Sequence, residues 1–370
     1  MGFVAFLVFF LVLAGSIFIH ELGHFIAARM AKIEVEEFGF GLPPKALTLF
    51  KWQGTEFTLN WIPLGGFVRP KGENDPNVLD GLSAANPWKR LGVLFAGPIM
   101  NLLTAVVVFA LIIGMSGIAV PGAVLIADVQ PESPAFEAGF VTGDVILQID
   151  GQPVDEISQA RALIYENLDS PTPFLVERNN EQLALIATPL STRPAAQGAL
   201  GVGLDTPRRP ATISESLIGG VSLTGLQAVT ILSIPVLLVR GLVHPEEARF
   251  VGLVGMYGMF SEAVERDTET RQQAEAASAA GETAPMPSNY TLSLLAMLSV
   301  SLGVFNLLPI PALDGGRILF TLPEILFRRR IPYKLENVVN TVAFLFLIGL
   351  MVLVNVVDII DPIDFSNLFR

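Results

Sequence analysis

The chain contains no cysteine, which excludes a disulfide framework and any thiolate-held metal; a metal bound here must be held by nitrogen and oxygen. Histidine is almost as scarce, with three in 370 residues. Charged residues make up only 16%, and 35 Asp and Glu outweigh 23 Lys and Arg for a net charge of −12. The basic footprint of a nucleic-acid binder is therefore missing. So is a glycine-rich loop with a lysine that would cradle phosphates. The first apolar run lacks the basic flank of a signal peptide and is read as retained. What the chain has in quantity is apolar: 51% hydrophobic residues and a mean hydropathy of +0.56. A soluble domain is less apolar than this and a bare helical bundle less mixed. The composition suggests a membrane protein with a sizeable soluble insert.

Two of the three histidines fall in one pentapeptide, His20-Glu21-Leu22-Gly23-His24, near the end of the apolar run that begins at Gly2. Residues four apart on a helix lie one above the other, so both imidazoles present themselves to one point. Two imidazoles at that spacing suit Zn²⁺, and Glu21 stands where it can polarise a metal-bound water. Ionisable groups buried in an apolar helix are costly, and inside a membrane they mark function by default.

Taken in order, residues 3–28 can cross a bilayer core of roughly 30 Å at about 1.5 Å per residue. His20 lies well past the middle, which puts the site near the far surface. Between Arg29 and Arg90 the chain is polar. There Thr55–Pro63 alternates polar and apolar residues and meets Leu64-Gly65-Gly66-Phe67, a pattern that predicts strands with an edge-type proline and a Gly-Gly turn or bulge. An exposed edge offers pairing to an extended segment through Phe57, Leu59, Trp61, Gly65, Gly66 and Phe67. A small hairpin packed on the membrane face satisfies the same pattern. Residues 91–118 form a second span, in which Pro98 introduces a kink and Asn101 makes a helix–helix hydrogen bond.

From Ala119 to Leu190 the composition turns soluble. Short β-rich runs (Val124–Val129, Asp144–Ile149, Phe174–Glu177, Leu183–Ala187) surround a helical stretch near Ser158–Tyr165. The segment Ala138-Gly139-Phe140-Val141-Thr142-Gly143-Asp144-Val145-Ile146, followed by Ile149-Asp150-Gly151, resembles the core of PDZ domains, which accept an extended peptide as an added strand. A spacer or filter of the same fold, with no ligand, fits equally.

Residues 191–289 read as interfacial helices and a polar linker. Leu217–Leu242 is apolar enough to span despite Gly219, Gly220, Gly225 and Pro235, and Val264–Asn289 is a polar helix running into a solvated loop. His244 is a surface or interface residue. Thr291–Leu308 is another span, leading into Asn306-Leu307-Leu308-Pro309-Ile310-Pro311-Ala312-Leu313-Asp314-Gly315-Gly316. The prolines end the helix just before Asp314, and Gly315-Gly316 permits close backbone approach. Asp314 could then supply a third metal ligand, although spacing alone favours an acidic helix-terminal turn in water. Val338–Val357 is the last span, followed by an acidic, non-helical tail.

If Asp314 joins the two histidines, its end of its span lies on the same membrane side as His24, because zinc bonds reach only about 2 Å. A crossing by Leu217–Leu242 would carry Asp314 to the opposite side. Leu217–Leu242 is therefore expected to lie in the interface or pack without spanning, leaving four spans. Arg328-Arg329-Arg330 and Lys334 between the last two spans, with Lys89 and Arg90 before the second, mark the cytoplasmic side. Both termini and the soluble insert are then outside.

In order along the chain, His20-Glu21-x-x-His24, Gly65-Gly66-Phe67, Gly97-Pro98-x-x-Asn101, the PDZ-like insert and Asn306-x-x-Pro309-x-Pro311-x-x-Asp314-Gly315 together resemble the bacterial site-2 proteases. These are intramembrane zinc metalloproteases that cut transmembrane segments. The resemblance implies a polytopic α-helical membrane protein of about four transmembrane helices, with a membrane-associated β-hairpin region and one soluble α+β PDZ-like domain. Its parts would be 1–118 (two helices and a β-region at about 45–70), 119–190, 191–289 and 290–370. His20, His24 and Asp314 would hold Zn²⁺, Glu21 would be the general base, and Asn306 would assist binding of substrate or transition state. The strand region before Gly65 would present the substrate, a single-span membrane protein such as an anti-sigma factor, a membrane-tethered regulator or a remnant signal peptide. The protein would sit in the cytoplasmic (inner) membrane with its active site near the cytoplasmic face. One PDZ-like domain instead of two, and a Glu/Gln/Ala-rich insertion at 264–288, depart from better-known members. The competing readings are a proteolytically silent scaffold that binds partners through the PDZ-like domain, which would have no need of Glu21, and a zinc transporter, which would need more polar residues across its spans.

Overall fold

The computed structural model describes residues 2–73, 75–192, 198–242, 249–280, 287–363 and 365; His244 lies outside them. In chain order the elements are α1 (Gly2–Met30), β1 (Val35–Trp52), β2 (Thr55–Pro70), α2 (Pro87–Ser116), β3 (Ile118–Ala119), β4 (Val124–Val129) and α3 (Pro134–Glu137). There follow β5 (Val145–Ile149), β6 (Gln152–Pro153), α4 (Ile157–Glu166), β7 (Thr172–Arg178), β8 (Glu181–Ala187), β9 (Val202–Asp205) and β10 (Arg208–Arg209). The chain ends with α5 (Ile213–Val239), α6 (Leu253–Ala280), α7 (Tyr290–Leu307), α8 (Asp314–Phe327) and α9 (Tyr333–Ile360). They divide into two compact units, one of residues 1–112, 214–268 and 289–370, the other of residues 113–213 and 269–288.

In the first unit α1 is largely apolar, and one long stripe of it is buried, Ala5, Phe9, Leu13, Ser16, His20 and Gly23, with Phe25 and Ala28 buried on another face near its end. The stripe's spacing of three and four residues is the helical repeat, so it leads straight to His20. The other faces expose Phe3, Phe6, Leu7, Leu11 and Phe18, an apolar surface that suits lipid and not water. α2 and α7 pack through Ala105, Val108, Phe109, Ala296, Val300 and Val304. Five helices are long and apolar enough to cross a membrane by length and composition: α1, α2, α5, α7 and α9. That is one more than the four expected. The additional helix is α5, which runs unbroken through Gly219, Gly220 and Gly225 and carries Pro235 within its last turns. Glycine and proline do not interrupt an apolar helix whose surroundings keep water from the backbone.

The β-region is longer than expected and folded on itself. Lys45–Trp52 pairs with Thr55–Asn60, while Phe38 faces Phe57 on one side and Val68 on the other. Segment 35–40 is therefore flanked by 55–59 and 66–70, and the last of these forms an edge on which no further strand pairs among the described residues. Gly65, with φ of 91°, marks where β2 bends away to become that edge. Where a Gly-Gly turn or bulge was expected, the structure has a bend within a continuous β2. Phe25, Ala28, Val35, Phe38, Val68 and Val93 form one cluster that fixes the sheet to α1 and α2.

The second unit carries a sheet in the order β8-β7-β5-β4-β9, with β6 on β5. Its core is Val124, Ile126, Phe140, Ile146, Ile149, Leu163, Ile164, Phe174 and Val176. Asp144 is fully buried and is held by the Arg178 guanidinium at 2.7 and 2.8 Å. That carboxylate pushes the Arg178 guanidinium above its usual range. The expected strands and helix of 119–190 are all present, but the unit extends further, because β9 adds to β4 and β10 to β3. β9 is four residues long and holds Gly203, too short and too poor in β-formers to stand out in sequence. Residues 191–289 accordingly contain two strands as well as helices. α6 begins at Leu253, well before the polar stretch expected from Val264.

Candidate metal centre

Helical geometry puts His20 and His24 on one face of α1, with their Nε2 atoms 3.1 Å apart. Asp314, the first residue of α8, comes from the other end of the chain. Its Oδ2 lies 3.1 Å from His20 Nε2 and 3.3 Å from His24 Nε2. These are the three candidate ligand atoms that the described residues bring together. Zinc bonds of about 2.0–2.1 Å at the tetrahedral angle require ligand atoms about 3.3–3.4 Å apart, so the observed triangle fits one Zn²⁺ with a fourth position open. The donor set supports the same fit. Asp314 Oδ2 is buried and accepts no hydrogen bond from the described residues. A buried carboxylate oxygen facing two imidazole nitrogens is costly unless a cation lies between them.

The remaining ring nitrogens are occupied. His24 Nδ1 meets the Val93 carbonyl oxygen at 2.8 Å, so Nδ1 carries the proton and Nε2 is left as a lone pair. His20 Nδ1 meets the amide of Asn101 at 3.2 Å. The amide oxygen of Asn101 is buried without a partner, and turned toward Nδ1–H it would fix His20 in the same tautomer. Asn101 therefore does more than join two helices: it orients a candidate ligand. Its place one turn beyond Gly97 on α2 was the signal available in sequence, since i and i+4 share a face. Because outer partners of metal-bound histidines are worth about 10–100-fold in metal affinity, Asn101→Leu is expected to weaken zinc binding by about that factor. Competition with a chromophoric chelator measures it.

Glu21 stands beside this triangle. Its Oε2 accepts the Val68 backbone N–H at 2.9 Å, so α1 is joined to the free edge of the sheet at the residue next to the histidines. A cavity of 650 Å³ opens over the group, lined among others by His20, Glu21, His24, Phe67, Asn306 and Asp314. The Asn306 amide donates to Leu302 O at 2.9 Å, which leaves its oxygen end for the cavity. The close approach expected at Gly315-Gly316 is to the loop's own carbonyls, Leu308 O and Ile310 O. Sequence spacing did not point to Glu73 and Arg317, which also line the cavity and form an ion pair there. Burial pushes the Arg317 guanidinium down, but nearby carboxylates, Glu73 foremost, leave it above its usual range.

Of the proposed substrate-binding residues, Phe67 lines the cavity and Gly65 and Gly66 precede it on the same edge. Phe57, Leu59 and Trp61 do not line it. Phe57 sits among Phe25, Phe38 and Phe50, with ring centroids 4.5–5.8 Å away. Leu59 and Trp61 are exposed. Segment 35–40 lies between that part of β2 and the edge at Val68, and separates them from the metal centre.

A family model described as peptidase family M50 matches residues 8–350. A Clostridium perfringens protein named "Putative zinc metalloprotease" is 33% identical over 354 residues, covering 95% of this chain and 98% of its own length. Relatives of the same name from Campylobacter jejuni and Helicobacter pylori are each 31% identical, covering 96% and 94% of this chain and 93% and 97% of theirs.

Proposed function

Because the chain belongs to peptidase family M50 and is a multi-pass membrane zinc metalloprotease, we propose that it hydrolyses peptide bonds within or near the transmembrane segments of single-span membrane proteins. The observation that carries this reading is the Glu21–Val68 hydrogen bond. It brings a candidate base, a triangle of candidate ligands and a strand edge around one cavity, on a helix that exposes Phe3, Phe6, Leu7 and Leu11.

His20, His24 and Asp314 would hold the metal. Zinc held there supplies a Lewis acid and a water whose pKa falls toward about 7. Glu21 takes a proton from the attacking water and returns it to the departing amine. The Val68 N–H holds the Glu21 carboxylate toward the ligand triangle throughout. Asn306 offers its amide to the substrate backbone or the developing negative charge. A transmembrane helix hides its peptide bonds, so it must unwind before it reacts. Pairing of the opened strand with Gly66–Pro70 would replace part of the hydrogen bonds it loses, the Val68 N–H being held by Glu21.

Four crossings fit the ligand geometry although α5 is long enough to make a fifth. Arg249 and the Gly252 N–H reach Asp358 at the far end of α9, and the Tyr257 hydroxyl donates to Gly2 O at the start of α1. With α1, α2, α7 and α9 as crossings, those ends share one side with the end of α2. The chain between α2 and α6 then makes no net crossing. The positive loops around Lys89–Arg90 and Arg328–Lys334 support a metal centre near the cytoplasmic face of the cell membrane. The second unit, read as PDZ-like, is then outside. Substrates of this class include anti-sigma factors, membrane-tethered regulators and remnant signal peptides.

The test is cleavage by the protein reconstituted in bilayers. Single-span substrates carrying helix-breaking residues in the span should be cut within it, and an all-leucine span should be cut far more slowly. Cleavage confined to water-exposed loops, with no dependence on the span, would contradict the reading.

A further inference from the structure

The loop that delivers Asp314 is tied to the last helix. After α7 ends, Pro309 and Pro311 break the helical bonding, and Ala312 takes φ of 77°. That left-handed conformation is disfavoured for any residue with a side chain and persists where something holds it. What holds it here is Asn340, whose Oδ1 accepts the Ala312 N–H at 3.1 Å. Ala312 lines the metal cavity alongside Asp314, two residues later.

Asn340 belongs to a helix with little else to hold it. Among the described residues of α9 only Asp358 is buried, and Val338, Val342, Phe344, Leu345 and Phe346 are exposed. Asp358 lies 18 residues beyond Asn340, about 27 Å along the helix, where it accepts the Gly252 and Gly255 N–H groups. α9 is thus fastened near its two ends by side-chain-to-backbone bonds, with an exposed apolar stretch between. Asn306, near the end of α7, bonds Leu302 O of its own helix. Asn340 reaches across to a strained backbone instead.

We propose that Asn340 is a positioning residue for Asp314: by holding Ala312 in its left-handed conformation it sets how the carboxylate meets the two imidazoles, and ties metal retention to the placement of α9. This rests on the reading of His20, His24 and Asp314 as the zinc ligands. No contact with substrate or metal is assigned to Asn340 itself.

The experiment measures the rate at which the zinc-loaded, detergent-solubilised full chain loses zinc to excess EDTA. Asn340→Leu keeps the volume and removes the acceptor, and should release zinc about 10-fold faster, within the range typical of outer partners at metal sites. Asn340→Asp keeps an acceptor and should stay close to wild type. The decisive variant is Asn340→Leu with Ala312→Gly, since glycine adopts positive φ without steric penalty and should restore slow release. Wild-type release from Asn340→Leu, or no rescue by Ala312→Gly, would overturn the proposal. Asp314→Ala is measured in parallel. Unchanged zinc retention in that variant would overturn the ligand reading itself, and so separates the two failures.

Discussion

Glu21→Gln abolishes peptide hydrolysis while the protein still carries one zinc per chain. That is the expected result, and it follows from what the substitution removes. Glutamine matches glutamate in size, and its amide oxygen can still accept the Val68 N–H that Glu21 accepts at 2.9 Å. It cannot take a proton from water. General acid–base steps contribute about 10²–10⁴-fold, and here one carboxylate serves both the attack and the departure of the amine. A loss at or beyond the upper end of that range is expected. The three candidate ligand atoms belong to other residues, so zinc content should not change. Cleavage of a single-span substrate with metal analysis of the same preparation measures both. Activity within 10-fold of wild type would remove Glu21 from the mechanism. A wild-type protein that holds zinc and cleaves no substrate would favour the scaffold.

Gly97→Ala is expected to be nearly as damaging, although glycine to alanine adds one carbon. α2 passes so close to the metal centre that a Cβ at Gly97 would overlap His24 Nε2 and lie 2.8 Å from His20 Nε2. The helix has little room to retreat, because it packs against α1 through Gly23, where a Cβ would overlap Ala96 O. Relief must come from turning an imidazole out of the triangle or parting the two helices. Either separates the lone pairs that converge on the metal. Zinc content should fall to less than about one-tenth, a loss at least as large as that expected from an outer partner, with activity lost in proportion. Gly92→Ala, on the same helix, is the control: a Cβ there meets nothing within 4 Å. Helix content by circular dichroism should match wild type in both. A zinc-loaded, active Gly97→Ala protein would contradict the geometry.

Much of the centre was legible because helical spacing is local. His20, Glu21 and His24 lie within five residues, and the 3.6-residue repeat brings both imidazoles to one point whatever the rest of the chain does. Asp314 was not fixed by spacing, since its meeting with the histidines depends on α1, α2 and α7 packing in one arrangement. The β-region shows the opposite limit. Alternation around Phe57, Leu59 and Trp61 announces a strand and says nothing of which edge is free. That was decided by the bend at Gly65 and by segment 35–40 lying between. α5 was recognised as apolar enough to span, and it was set aside as a crossing only because Asp314 must meet the histidines, a constraint that no local pattern carries. Asn340 and Ala312 carried no local signal, because their bond joins the loop before α8 to α9.

The central claim is a zinc site built from two imidazoles and one carboxylate, and X-ray absorption at the zinc edge tests it most directly. Wild type should show one zinc per chain with nitrogen and oxygen neighbours alone, at about 2.0–2.1 Å, two of them with the outer-ring scattering of imidazole. Asp314→Ala should lose most of the metal. Absent zinc, six-fold oxygen coordination, or an unchanged spectrum in Asp314→Ala would contradict the account.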